Sequence, residues 1–364
     1  MITALIFILA STLSAFLFMK QAQFGKTPKG ERLKRIKVSV NYSNGAFQNQ
    51  SPTPDLTEGA NFYSVAKEFL FTKKERNKPS EAIISLKTDL LQLDPEKDVM
   101  VWFGHSSYFM QIDGKKILVD PVLSGSASPI SFTTKAFKGS NNYSAEDIPA
   151  IDYLFITHDH WDHLDYKTVK KLQSRTGKVI CGLGTGAHLE HWGFTKDQII
   201  EKDWHETIRL DMGFSVTTVP ARHFSGRGFK RNQSLWMSYA LQTPSLNIYI
   251  GGDSGYDAHY AKAGEALGPF DIAILENGQY DKSWKYIHMH PEEVLRAAKD
   301  LKAKQLFPVH SGKFALANHD WDEPLKRIWS LSKVTDTALI TPRIGEIVYL
   351  KQQQKFTKWW EFTN

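Results

Sequence analysis

Residues His158-Asp159-His160-Trp161-Asp162-His163 constrain this chain more than any other stretch. They follow directly on Ile151-Asp152-Tyr153-Leu154-Phe155-Ile156-Thr157, an apolar run that reads as a buried strand. All but Trp161 can ligate a metal. On one turn at a strand end, the HxHxDH pattern directs two imidazoles at one metal and sets an Asp and a His toward a second. Nitrogen and carboxylate ligands suit zinc, and also iron or manganese. The bland alternative is a His-rich polar loop. Three spaced histidines plus an aspartate at one strand end are hard to obtain by accident.

A binuclear site needs further ligands, and three residues stand at the ends of other apolar runs. His223 follows Phe214-Ser215-Val216-Thr217-Thr218-Val219-Pro220, and Asp253 follows Leu246-Asn247-Ile248-Tyr249-Ile250 and two glycines. His310 follows Gln305-Leu306-Phe307-Pro308-Val309. Strand ends of a layered α/β domain converge on one edge, where such folds place their sites. His105 also follows a strand-like run. It either hydrogen-bonds a ligand or caps a turn. His188, His191, His205, His259 and His319 read as structural or solvent-exposed.

The order strand, HxHxDH, His, Asp, His resembles the metallo-β-lactamase superfamily, over about residues 98–350. The resemblance implies an α/β, four-layered αβ/βα sandwich with two mixed sheets inside and helices outside. It also implies the ligand split. His158, His160 and His223 would hold one zinc ion, Asp162, His163 and His310 a second, and Asp253 would bridge them.

Shorter phrases resemble one group within that superfamily, the N-acyl-phosphatidylethanolamine-hydrolysing phospholipases D. They include Leu118-Val119-Asp120-Pro121-Val122, Gly252-Asp253-Ser254-Gly255-Tyr256, Gly268-Pro269-Phe270-Asp271, His290-Pro291-Glu292-Glu293 and Phe314-Ala315-Leu316-Ala317. Two residues depart from the group pattern: Trp161 stands where a tyrosine is usual, and His290 where an aspartate is usual. Both affect how a substrate sits rather than the metals. By the resemblance, Asp120 orients a metal-bound imidazole, and His288 touches the phosphate or assists the leaving group. Trp161 either walls the substrate's acyl region or packs under the turn.

The chemistry implied is hydrolysis of a phosphodiester. Two adjacent cations lower the pKa of a bridging water from about 15.7 toward neutrality, and the hydroxide attacks in line. Asp162 orients it, so no protein nucleophile is required. The implied substrate is N-acyl-phosphatidylethanolamine or a related phospholipid, giving phosphatidic acid and an N-acylethanolamine. Two readings compete with this one: a hydrolase of the same superfamily acting on a soluble phosphoester, lactone or nucleic acid, and a non-catalytic binding module. The complete ligand set speaks against the last. The one cysteine, Cys181, excludes an internal disulfide and Cys-rich structural zinc.

Residues 2–19 carry no charge and would run about 27 Å as a helix, just enough for a thin bilayer. Lys20, Lys26, Lys29, Arg32, Lys34, Arg35 and Lys37, against Glu31, account for the whole net charge of +6. The rest of the chain is balanced, which argues against a nucleic-acid partner and for a collar facing anionic lipid headgroups. A cleaved signal peptide would show small residues at its cleavage site, where Phe16-Leu17-Phe18-Met19 stand here. The expectation is therefore a retained single-pass transmembrane anchor over residues 1–19, with a cytoplasmic catalytic domain. Residues 20–60 read as a basic juxtamembrane segment and linker. Residues 61–97 read as an extension packing on the core, 98–350 as the hydrolase domain and 351–364 as a tail. Within 61–97, residues 62–71 have helical spacing. Residues 124–147 read as a substrate lid or an ordinary surface loop.

Overall fold

Residues 2–71 and 76–361 are described in the computed structural model; Met1, residues 72–75 and 362–364, within three of the segments expected above, lie outside them. Uninterrupted by Gly or Pro, the N-terminal apolar run forms helix α1 (Ile2–Met19). Residues 3–17 of it are exposed, Phe7 73% and Leu9 60%, while Phe18 and Met19 are half-buried. Eighteen residues at 1.5 Å per residue reach about 27 Å, short of a hydrocarbon core about 30 Å thick. Among the described residues no helix is long and apolar enough to cross a membrane, so the expected transmembrane anchor is not supported.

The segment after α1 is held by the core. Helix α2 (Gly30–Lys37) buries Ile36, and the small hairpin β1 (Tyr42–Ser43) and β2 (Ala46–Phe47) buries Phe47. Helix α3 (Phe62–Phe71) forms where the spacing predicts. Phe62, Tyr63 and Phe71 are nonetheless 71–79% exposed rather than packed.

The layered domain begins with a seven-stranded mixed sheet. Strands β3 (Val99–Trp102), β4 (Tyr108–Ile112), β5 (Lys115–Val119), β6 (Ile151–Ile156), β7 (Thr176–Gly182) and β8 (Ile199–Lys202) lie side by side in that order. The β4–β5 turn is Asp113-Gly114, both at positive φ, the two-residue hairpin geometry the sequence predicts. Helices α4 (Tyr166–Leu172) and α5 (Gly186–His191) flank this sheet.

The second seven-stranded sheet contains β9 (Thr207–Arg209), β10 (Ser215–Val219), β11 (Ser238–Gln242), β12 (Asn247–Ile250), β13 (Ile272–Glu276), β14 (Gln305–Val309) and β15 (Ala338–Leu339). Helices α6 (His259–Ala266), α7 (Pro291–Asp300) and α8 (Glu323–Thr335) cover it. Strand β16 (Ile347–Tyr349) returns to the outer edge of β3.

Side-chain alternation decides the layering, because successive strand residues face opposite ways. In β6, Tyr153 and Phe155 enter the core between the sheets, while Leu154 and Ile156 pack toward α4 and α5. In β13, Ile272 and Ile274 face between the sheets, and Ala273 and Leu275 face α6 and α7. The result is the expected αβ/βα sandwich. Strands β5 to β8 run parallel, as do β12 to β15. Their carboxyl ends therefore deliver side chains to one edge.

Candidate metal centre

Three of the parallel strands hand a polar group to that edge. His158 lies just past β6, Asp253 past β12 and His310 past β14, while His223 follows the antiparallel β10. Gly252, at φ +60°, lets β12 approach β6: a Cβ there would stand 2.7 Å from the Thr157 Cβ. Three non-glycine residues of this edge, His105, Asp120 and His310, also take positive φ. Such conformations cost on the order of 1–2 kcal/mol each and mark a backbone constrained by its site.

All seven residues expected as ligands come together. His160 Nδ1 lies 3.0 Å from His158 Nε2 and 3.2 Å from His223 Nε2. Bonds of about 2.0–2.1 Å to a tetrahedral zinc ion would separate such nitrogens by about 3.3–3.4 Å, so the trio has the size of a metal face. Asp162, His163, His310 and His105 form a second cluster of ligand atoms within 4.8 Å of one another. Asp253 joins the two: its Oδ2 is 3.1 Å from His163 Nε2 and 3.8 Å from both His158 Nε2 and His223 Nε2.

The donors also pass a test of fit. His163 Nε2 and Asp253 Oδ1 are buried and make no well-aligned hydrogen bond, although His163 Nε2 lies 3.1 Å from Asp253 Oδ2 and Asp253 Oδ1 3.1 Å from His310 Nδ1. An unpaired buried polar atom costs about 1–3 kcal/mol, and a cation at this point would satisfy both. Burial holds His158, His223 and His310 well below the usual imidazole range, and brings His160 down to about 4. These rings are therefore neutral near pH 7, the form that binds metal. Burial pushes the Asp162 carboxyl up, but His163 and His105 more than offset it and hold it well below the usual range.

The second ring nitrogen is engaged in most of these histidines. His163 Nδ1 lies 2.8 Å from Asp120 Oδ2, His310 Nδ1 2.9 Å from Ser106 Oγ, and His223 Nδ1 3.0 Å from the Ile287 carbonyl. Such partners fix ring orientation at metal sites. Asp120 thus stands where the resemblance implies. His105 Nε2 lies 2.9 Å from Asp162 Oδ2, so His105 touches an expected ligand rather than merely capping its turn. His288 lines the same cavity, with its ring stacked on that of His310. His290 is the N-cap of α7, in a reciprocal pairing with Glu293.

Two features were not read from the sequence. Glu276, the last residue of β13, is buried against His288. It ends an apolar run just as Asp253 and His310 do, and that signal was available. Arg227 is buried between Trp161 and Trp192, its guanidinium 3.9 Å and 5.3 Å from the ring centres. It donates to the carbonyls of Asp159 and Leu164 beside the metal turn, and to that of Gln23. Phe24 packs edge-on against Trp161, and Trp192 Nε1 donates to the Ala22 carbonyl. The Lys26 amide donates to His188, whose other nitrogen faces Asp159. The chain following α1 is thus bound to the metal turn from several sides.

An αβ/βα sandwich with this imidazole–carboxylate cluster at its strand ends is the architecture of a metal-dependent hydrolase. Residues 115–311 match the beta-lactamase superfamily domain. The chain belongs to that superfamily, in its metallo-β-lactamase form. It is 35% identical over 326 residues to an uncharacterized protein of Mycobacterium tuberculosis, covering 88% of this chain and 87% of that one. It is 28% identical over 263 residues to an N-acyl-phosphatidylethanolamine-hydrolyzing phospholipase D of Caenorhabditis elegans, covering 68% of this chain and 74% of that one. Among solved structures, the metallo hydrolase Igni18 of Ignicoccus hospitalis matches with a TM-score of 0.54 at 23% identity. That match covers 69% of this chain and 97% of Igni18, and supports the fold.

Proposed function

We propose that the protein is a zinc-dependent phosphodiesterase that cleaves N-acyl-phosphatidylethanolamine, or a related phospholipid, to phosphatidic acid and an N-acylethanolamine. The observation that carries this reading is the shape and chemistry of the cavity. Its floor holds His160, Asp162, His223, Asp253 and His310, and its walls include Leu56, Phe62, Phe224, Trp284 and Leu316. The rest of the lining mixes these apolar side chains with Asp55, Arg231 and Gln279, and a volume of about 460 Å³ that joins polar ligand groups to apolar surface suits an amphiphile with a phosphate.

In this reading His158, His160 and His223 would hold one zinc ion and Asp162, His163 and His310 a second, with Asp253 shared between them. Zinc bound there supplies Lewis-acid charge and a water acidified toward neutrality. Asp162, held by His105, orients the attacking water. His288 binds a phosphoryl oxygen or steadies the leaving oxygen from the cavity wall. Trp161 faces the substrate's acyl region in this reading; it borders a second cavity of about 330 Å³ in which Phe18, Ile130 and Phe132 share the lining with polar residues including Gln21, Gln23 and Asp165.

The exposed apolar α1 seats this mouth on a lipid surface. Phe132, 75% exposed, lies on the loop beside Phe18, and Phe229, 92% exposed, follows Gly228 against Met19. Lys29, Lys34 and Lys37 follow for anionic headgroups.

The test is a mass-spectrometric product assay with zinc-loaded protein and N-acyl-phosphatidylethanolamine in mixed micelles. Equal amounts of phosphatidic acid and N-acylethanolamine are expected. Release of free fatty acid, or turnover of water-soluble phosphoesters only, would refute the reading.

A further inference from the structure

Glu276 is 1% exposed, at the end of β13. Its Oε2 lies 2.5 Å from His288 Nδ1, and its Oε1 accepts from the Met289 amide at 2.8 Å. The carboxylate therefore grips both the ring of His288 and the backbone next to it. Burying an ionisable carboxyl costs several kcal/mol unless its partners are well placed. Here those partners are the His288 ring, the Met289 amide and, at 3.4 Å, the Ser254 amide. The ring so held lies among the expected metal ligands: it stacks on His310, ring centres 5.2 Å apart, and meets His223 edge-on at 5.1 Å. With Nδ1 committed to Glu276, Nε2 is the nitrogen the ring has left for the cavity it lines.

We propose that Glu276 is a positioning residue: by holding Nδ1 it fixes the rotation of His288, so that a hydrogen on Nε2 is presented to a phosphoryl oxygen of the substrate. This rests on the phosphodiester reading above. Glu276 acts through His288 and touches no reacting atom. Its carboxylate also lies within 4.8 Å of ligand atoms of Asp253 and His310. A role as a metal ligand is therefore the alternative that the test must separate.

The experiment compares zinc-loaded wild type with Glu276→Gln, Glu276→Asp, His288→Ala and the Glu276→Gln/His288→Ala double variant. It reads metal content, binding of inorganic phosphate, and kcat and KM. Glu276→Gln should keep its full metal content and lose about 10- to 100-fold in kcat and in phosphate affinity. Glu276→Asp should recover part of both. The double variant should be no worse than His288→Ala alone, because one residue acts through the other. Loss of a metal equivalent in Glu276→Gln, or additive losses in the double variant, would overturn the proposal.

Phosphate binding separates this proposal from the lipid reading. If wild type does not cleave the lipid but His288→Ala and Glu276→Gln weaken phosphate binding alike, the substrate is wrong and the positioning role stands. If His288→Ala binds phosphate as tightly as wild type, the positioning role falls. Should Glu276→Gln fail to fold, nitrogen-15 NMR of the wild-type holoenzyme decides. A hydrogen on Nε2 of His288 supports the proposal, and a ring that carries hydrogen on Nδ1 alone overturns it.

Discussion

Asp120 Oδ2 lies 2.8 Å from His163 Nδ1, and both side chains are buried to within 1%. The same carboxylate accepts from the Thr157 amide and hydroxyl, so it ties the end of β5 to the metal turn after β6. Asp120→Asn keeps the shape and removes the charge. It should weaken metal binding by about 10- to 100-fold while leaving the fold intact. Competition with a chromogenic chelator measures this, and unchanged affinity would make Asp120 a turn residue only.

Metal loading should release a proton. Burial alone would lower the His163 pKa, but the carboxylates of Asp253 and Asp162 outweigh it and raise the value well above 6.5. Without metal, His163 therefore holds its second proton at pH 7, and the neutral ring is the form that ligates. Apparent zinc affinity should rise with pH above neutrality. In the metal-free protein the same proton stabilises the fold fully below about pH 6.5, and this contribution is lost as pH rises through the His163 value. Calorimetric zinc titrations in two buffers of different ionisation enthalpy count the proton. Identical heats in both would contradict this.

Arg227 should matter more to stability than its place in a loop suggests. Removing it leaves the carbonyls of Gln23, Asp159 and Leu164 short of a donor. Arg227→Ala should cost roughly 2–4 kcal/mol, since each unsatisfied buried group costs about 1–3 kcal/mol. Arg227→Lys should recover little, because an ammonium cannot fork or stack as a guanidinium does. Urea unfolding reads both. A loss under about 0.5 kcal/mol would show that the N-terminal segment is held without it.

Deleting residues 2–19 should abolish vesicle binding and leave the fold and the hydrolysis of a short-chain, water-soluble substrate in place. Deleting residues 2–37 should instead unfold or aggregate the protein, because Arg32 pairs with Glu190 and Glu201 and Ile36 is buried. Flotation with vesicles and a thermal melt separate the two. Retained vesicle binding by the shorter deletion would place the lipid contact on another face.

The sequence was most legible where function and strand pattern coincide. His158, Asp253 and His310 each end an apolar strand, so spacing alone pointed to their common edge. The β4–β5 hairpin was written in Asp113-Gly114. Contacts distant along the chain were illegible. Gln23 meets Arg227, and Arg32 meets Glu201, across well over a hundred residues. Residues 38–60, polar enough to read as linker, are pinned instead: Asn49 bonds the His223 carbonyl and Thr57 that of Lys282. The spacing of α3 gave its helix but not what covers it. The apolar character of α1 was plain, yet its length falls short of a span.

The most direct test of the account is turnover of N-acyl-phosphatidylethanolamine in oxygen-18 water by zinc-loaded wild type and Asp253→Asn. Wild type should put label in the phosphatidic acid and none in the N-acylethanolamine, and Asp253→Asn, which should also lose metal, should give neither product. Label in the N-acylethanolamine would move the attack from phosphorus to carbon. No turnover by wild type carrying its metal, or full turnover by Asp253→Asn, would contradict the account.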